Sequence, residues 1–308
     1  MSSDVARRLA HRTVFPAAEH AWAAAAALAG VAIRARTRPA PWTSSAVQSV
    51  LVVAAHPDDE TLGAGGTIAL HAAEGDEVVV VVITDGSASR ADGLPPDAMA
   101  RRRRREAEAA AEALGVDRLV CLGLPEGSWD AKHAARALRP FVDAAELVYA
   151  PSCVDYHPEH VAVARLAAEL MKADQPVRVY ELGVPLTPVL ADCVADIGPV
   201  AARKARALAA YQTQRLTATP FERLARYRAR LYGLDAAEVF WQLRGDDYAR
   251  LMALGDWRGG RSPFRGVRWR PLTDPLSALV GLGDRLALRR AARLGRTGDR
   301  GWEGALVG

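Results

Sequence analysis

Short Val-rich apolar runs that alternate with helix-length stretches constrain this chain more than any other feature. Ser49 to Ala55 is such a run, ended by a polar turn, and it reads as a strand buried on both faces of a parallel sheet. Thr61 to Ala73 fits a helix, and Glu77 to Thr84 is a second β-branched strand, ended by Asp85-Gly86-Ser87. Asp97 to Leu114 is Ala-rich with charges on one side, and Gly115 is placed to stop it as a helix. The alternation continues with strands at Arg118 to Leu122, Leu147 to Ala150 and Val177 to Leu182, separated by helices at Lys132 to Ala145 and His160 to Ala173. This order predicts an α/β fold in three layers, with helices on both sides of a mostly parallel sheet. Such open sheets bind ligands at the carboxyl ends of their strands, so the polar residues just after each strand are the first candidates.

Two strand ends carry a high density of metal-binding groups. The first strand is followed by His56-Pro57-Asp58-Asp59-Glu60, the fourth by Asp155-Tyr156-His157-Pro158-Glu159-His160. Histidine nitrogens and carboxylate oxygens bind zinc at about 2.0 to 2.2 Å, and catalytic sites take three protein ligands while leaving room for water. Two histidines and one carboxylate drawn from these segments meet that count. Pro57 and Pro158 restrict the adjoining backbone and remove donors, which favours fixed turns. An acidic pair at a strand end also serves as a helix cap, but capping does not explain the histidines.

These residues carry a resemblance. His56-Pro57-Asp58-Asp59-Glu60 after a buried strand, with Asp155-x-His157-Pro158-Glu159-His160 downstream, is similar to the PIG-L/LmbE-like family of zinc N-deacetylases. The likeness spans Gln48 to Gln214 and takes in Thr84-Asp85-Gly86, Arg103-x-x-Glu106, Leu124-Pro125-Glu126-Gly127 and Tyr211-Gln212-Thr213-Gln214. The resemblance implies a Rossmann-like fold and a hydrolase that removes an acetyl group from an N-acetylated amino sugar. It implies Zn²⁺, with other divalent metals open, held by His56, Asp59 and His160. Asp58 then becomes the general base, and His157 the group that polarises or protonates. Glu159 stands where the family more often has Asp, which alters its contact in the second shell of the metal. Arg103 is the arginine of the Arg101 to Arg105 run expected to face a sugar hydroxyl or phosphate, and Asp85 is expected to contact substrate or orient a ligand.

The chemistry agrees with those roles. Zinc lowers the pKa of a bound water to about 7 and polarises the acyl oxygen. Asp58 beside the ligand Asp59 is free to take the water proton and pass it to the departing nitrogen. A protonated His157 would stabilise an oxyanion. Other readings stay open: a metal hydrolase of a different N-acyl amine, or a non-catalytic glycan- or lipid-binding protein of the same fold. Gly63, Gly65 and Gly66 permit close backbone approach or tight helix packing, but they do not form GxGxxG, so a dinucleotide fingerprint is absent.

Composition narrows the partners. With 40 Lys and Arg against 36 Asp and Glu, a net charge of +4 speaks against obligate nucleic-acid binding. Cys121, Cys153 and Cys193 are scattered and form no CxxC pair, as expected of buried thiols in a reducing, cytoplasmic setting. The chain divides into an N-terminal helical and linker segment, 1–46, a catalytic domain, 47–255, and a basic C-terminal extension, 256–308. In the first, Arg7, Arg8 and Arg12 precede an apolar stretch, Ala21 to Ile33, that favours a packing or peripheral helix over an export or anchor signal. In the last, Trp257, Phe264 and Trp269 are interleaved with arginines, and Leu276 to Leu294 reads as a basic amphipathic helix. Packing on the body is favoured there, with peripheral contact to an anionic membrane as the alternative. The expected partner is an amino-sugar-containing small molecule or a glycolipid.

Overall fold

The structure is a computed structural model, and it describes residues 15–43, 47–216, 220–255, 257, 260–272, 277 and 279–294. The Val-rich runs form strands β2 (Ser49–Ala54), β3 (Glu77–Thr84), β4 (Arg118–Leu124), β5 (Leu147–Pro151) and β6 (Pro176–Tyr180), all parallel to their neighbours within this group. Helices α2 (Asp59–Glu74), α3 (Pro96–Leu114), α4 (Ala131–Ala144) and α5 (Pro158–Leu170) make the crossovers. Gly115 ends α3 at a φ of 82°, the left-handed stop that its position predicts. Successive side chains of β2 enter opposite layers. Val50, Val52 and Ala54 pack with Ala64 and Ile68 of α2 and Ala110 and Leu114 of α3, whereas Leu51 and Val53 pack with Leu138 of α4 and Val163 of α5. Each valine or leucine buried this way contributes about 1.5 to 3 kcal/mol, so a one-residue slip of β2 would be costly.

The sheet has eight strands among the described residues, in the order β1-β7-β8-β6-β5-β2-β3-β4. From β2 the chain proceeds outward through β3 and β4, then crosses back to place β5 on the other side of β2. The carboxyl ends of β2 and β5 therefore flank a topological switch point, where open α/β sheets leave a crevice.

Beyond β6 the sequence is less transparent. The run Glu238-Val239-Phe240-Trp241, in which no alternation is visible, lies in β8 (Ala237–Arg244). This strand is antiparallel to both β6 and β7 (Cys193–Asp196). Its first seven residues are buried, so it shows no alternation to read. Helix α6 (Ala201–Ala210) ends just before the Tyr211-Gln212-Thr213-Gln214 motif, which forms a turn. Helices α7 (Pro220–Tyr232) and α8 (Gly245–Ala253) complete this part.

The described parts of the two terminal segments pack on the body, and residues 1–14, with Arg7, Arg8 and Arg12, lie outside the described residues. Helix α1 (Phe15–Thr37) lies along α7, where Trp22 stacks on Tyr227 at 5.2 Å and Ala26 is buried. The short β1 (Ala40–Pro41) joins the sheet edge beside β7. No helix among the described residues is long and apolar enough to cross a membrane. Trp257 and Trp269 are fully buried in a cluster with Val154, Trp241 and Leu251, and Leu288 of α9 (Leu282–Leu294) joins it. The aromatics that membrane contact would have used are therefore core residues. Phe264 alone of the three is exposed. The tail 295–308 of the sequence-based extension lies outside the described residues.

Behind the sheet, a buried polar chain makes stability pH-dependent. Trp42 Nε1 and Arg178 Nη1 both donate to Tyr149 Oη, at 2.9 and 2.7 Å. The Tyr149 hydroxyl is left to donate to His71 Nε2 at 2.9 Å, so His71 Nδ1 carries the proton and donates to Asp76 Oδ2 at 2.6 Å. Burial lowers the His71 pKa to about 4 against the pull of Asp76, and the Arg178 guanidinium adds to the lowering. Because the unfolded chain takes up this proton near pH 6.5 and the folded chain does not, stability should fall as pH drops from about 6.5 to 4, by up to about 3 kcal/mol. Melting curves across that range should be flatter for His71→Gln than for the wild type; equal slopes would remove His71 as the cause.

Candidate metal centre and active site

The backbone leaves β2 through Ala55 and His56, then turns sharply into α2. Asp58 sits at the turn with φ 135° and ψ −27°, a conformation costly for a side-chain-bearing residue. Its carboxylate makes no cap to the helix. Asp59 and Glu60 occupy the first turn of α2, where the helix dipole favours negative charge. Glu60 faces inward and is held by Asp58 N–H at 3.2 Å, Thr61 Oγ1 at 2.7 Å and the Tyr211 hydroxyl. Strain at Asp58 is thus opposed by bonds on both sides of the turn.

Asp59 is the hub. Its Oδ2 accepts from His56 N–H at 2.9 Å and lies 3.3 Å from His56 Nδ1, while Oδ1 lies 3.3 Å from His160 Nε2. His160 comes from the first turn of α5, following β5, and its other nitrogen, Nδ1, is 3.0 Å from Asp155 Oδ2. The His157 ring lies between, 4.8 Å from the His56 ring and 4.6 Å from that of His160. Nitrogens of the three histidines fall within 4.8 Å of one another. The two segments separated by a hundred residues in the sequence therefore converge across the β2–β5 switch point.

The electrostatics fit a cation at this hub. Burial disfavours charge on every member, yet Asp59 is held well below the usual carboxylate range by His160 and His56. Burial opposes protonation of His56, but Asp59 and Glu126 outweigh it and raise its pKa to about 9. His160 rises well above its ordinary value through Asp59 and Asp155, again against burial. A buried carboxylate that draws protons onto two imidazoles is a place where a divalent ion can replace those protons. His157 Nδ1 is buried without a hydrogen-bond partner.

Around this centre lies a cleft of about 280 Å³, lined by His56, Asp58, Arg103, Glu126, His157 and Phe221 among others. Arg103 reaches it from α3 because Gly86, at φ 65°, has no side chain; a Cβ there would come within 2.9 Å of the Arg103 side chain. Its Nη2 binds Asp58 Oδ2 at 3.0 Å and also the Pro57 carbonyl. Burial raises the Asp58 pKa to about 7, with Arg103 opposing the rise.

Several expectations change in detail. Burial, then the charges of His160 and His56, push the His157 pKa down to about 4, which favours a neutral ring over the protonated one. Asp85 does not line the cleft; its Oδ1 accepts from Ser87 N–H and Glu126 N–H at 3.0 and 3.3 Å and ties two loops together. Gly63 and Gly66 serve helix packing, since Cβ atoms there would strike the Tyr180 ring and Ile197. Glu126 was visible in the sequence only as part of a motif, although its place directly after a strand's carboxyl end was the signal for it.

Together the doubly covered, mostly parallel sheet and the histidine–carboxylate hub at its switch point define an α/β protein with a candidate metal site. The sequence pattern of the PIG-L family, described as GlcNAc-PI de-N-acetylase, matches residues 51–171, and the chain carries a PIG-L (LmbE-like) family domain. A 1D-myo-inositol 2-acetamido-2-deoxy-alpha-D-glucopyranoside deacetylase of Kineococcus radiotolerans is 37% identical over 142 residues, which are 44% of this chain and 39% of that protein. The chain spans about half the length of the curated relatives it matches. The N,N'-diacetylchitobiose deacetylase of Pyrococcus horikoshii shares the fold, with a TM-score of 0.57 at 22% identity over 66% of this chain and 86% of that one. GalB, the 4-carboxy-2-hydroxymuconate hydratase of Pseudomonas putida, superposes with a TM-score of 0.52 at 25% identity over 63% and 95%.

Proposed function

We propose that this protein is a zinc-dependent hydrolase that removes the acetyl group from an N-acetylated amino sugar. The observation that carries this reading is the Asp59 carboxylate, which presents one oxygen to each of two buried imidazoles at 3.3 Å while Asp58 stands beside it. His56, Asp59 and His160 would hold the metal. Bound zinc supplies an activated water and polarises the acyl oxygen.

The remaining work falls to the chain's own groups. Asp58, oriented by Arg103, accepts a proton from the attacking water as the new carbon–oxygen bond forms. When the carbon–nitrogen bond breaks, the same carboxyl returns that proton to the nitrogen, leaving acetate and a free amine. His157 donates a hydrogen bond from its neutral ring to the oxygen on which charge develops. Arg103 and Glu126 line the cleft where sugar hydroxyls would lie. The names of the Kineococcus and Pyrococcus proteins support an amino-sugar substrate.

The name of the Pseudomonas protein shows that this fold also hosts water addition to a substrate without amide cleavage. Amine release from a panel of N-acetylglucosaminides, measured with zinc-loaded full-length protein, separates the two. Release should depend on zinc, and His56→Ala should lose both metal and activity. No amine from any N-acetylated sugar, with hydration of unsaturated acids instead, would overturn the proposal.

A further inference from the structure

The two imidazoles at the hub are gripped in the same way. His160 has Asp59 at Nε2 and Asp155 at Nδ1; His56 has Asp59 at Nδ1 and, 3.3 Å from Nε2, Glu126 Oε1. Both outer contacts are within ion-pair range without hydrogen-bond alignment. Asp155 lies a few residues from His160 and is fixed locally, its Oδ1 accepting from His157 N–H at 2.8 Å. Glu126 comes from elsewhere, on the loop after β4, and two of the next residues, Gly127 and Ser128, are exposed.

That loop is anchored from the opposite side of the site. Glu159, in the first turn of α5 beside His160, accepts from Gly127 N–H through Oε1 at 3.1 Å and from Trp129 Nε1 through Oε2 at 2.6 Å. The grip falls immediately after Glu126, whose own Oε2 accepts from Ala88 N–H at 3.2 Å. An aspartate at 159 would draw the carboxylate back by about 1.5 Å, one carbon–carbon bond, and weaken its hold on both donors. The longer side chain at this position thus has a definite contact, and that contact is the loop carrying Glu126.

We propose that Glu159 is a positioning residue which, by holding Gly127 and Trp129, seats Glu126 against the outer nitrogen of His56 and so orients that ring for metal. The inference rests on the zinc reading above. Outer carboxylates fix the tautomer and direction of a ligating imidazole, and their loss typically weakens metal binding about 10- to 100-fold. Glu159→Gln keeps the length, but its amide nitrogen cannot accept, so one of the two donors is left unpaired. Trp129→Phe removes only the indole N–H and keeps most of the ring packing.

The test is zinc affinity of the full chain, measured by competition with a chromophoric chelator, alongside melting of each metal-free variant. Glu126→Gln and Glu159→Gln should each bind zinc at least about tenfold more weakly. The double variant should be no weaker than Glu126→Gln alone, because both changes act through one contact. Trp129→Phe should shift affinity in the same direction, and it carries the test if Glu159→Gln melts below the assay temperature. Wild-type affinity in Glu159→Gln and Trp129→Phe, or losses that add in the double variant, would overturn the proposal. A wild-type chain that binds no zinc would remove the metal reading and this inference with it, a result distinct from the other two.

Discussion

Replacing Asp58 with asparagine is expected to lower amine release about 10²- to 10⁴-fold while zinc binding stays near wild type, because it removes a general base without touching a ligand. Asparagine preserves the volume of the side chain and tolerates positive φ better than most residues, so the strained turn at 135° should survive. It keeps an oxygen for Arg103 but loses the basic lone pair that takes the water proton. The pairing of the two readouts is what identifies the role: lost turnover with retained metal. A variant with near-normal rate would remove Asp58 from proton transfer, and one that lost zinc would place its carboxylate in the ligand set.

The largest stability effect is expected at Lys204, away from the cleft. Its Nζ lies 2.5 Å from Glu238 Oε1 and 3.0 Å from the Leu62 carbonyl, and the Glu238 side chain is wholly buried. Glu238 also accepts from Gly66 N–H, Thr67 N–H and Thr67 Oγ1 at 2.8, 2.8 and 2.6 Å, and so braces the middle of α2 from β8. Burial lowers the Lys204 pKa, and Glu238 opposes that shift. Lys204→Met leaves this carboxylate buried without its counter-ion, which should cost about 3 to 5 kcal/mol in denaturant unfolding. Adding Glu238→Gln should recover part of the loss, because a neutral amide needs no counter-ion. A single-variant cost below about 1 kcal/mol, the range of surface pairs, would mean that water reaches the pair. Since α2 begins at Asp59, loosening this brace should also weaken zinc binding.

Much of the fold and of the proposed site is legible in the sequence alone. Runs such as Ser49 to Ala55 and Glu77 to Thr84 are locally unambiguous, since five or more consecutive buried β-branched or aliphatic residues between turn signals suit a central parallel strand. His56, Asp58 and Asp59 follow the end of β2 directly, and His157 and His160 follow β5 through one loop and the first turn of α5, so both groups could be placed at carboxyl ends of the sheet from the sequence. The run in β8 was not legible, because burial on both faces erases alternation, and an antiparallel return between β6 and β7 leaves no local mark. For Trp257 and Trp269 beside their arginines, packing on the body was favoured but membrane contact stayed open; whether an aromatic meets lipid or core depends on distant residues such as Val154 and Trp241.

The sequence by itself determined the donor set of the proposed site and the sheet ends that present it, since both depend on residue type and on short-range pattern. Only the tertiary structure decided how those groups are charged and held. It set the lowered pKa of His157 through burial and then the neighbouring rings, the turning of Asp85 toward two loops, and the joining of Glu159 to the loop of Glu126. Those outcomes depend on burial and on partners tens of residues away, which no local pattern encodes.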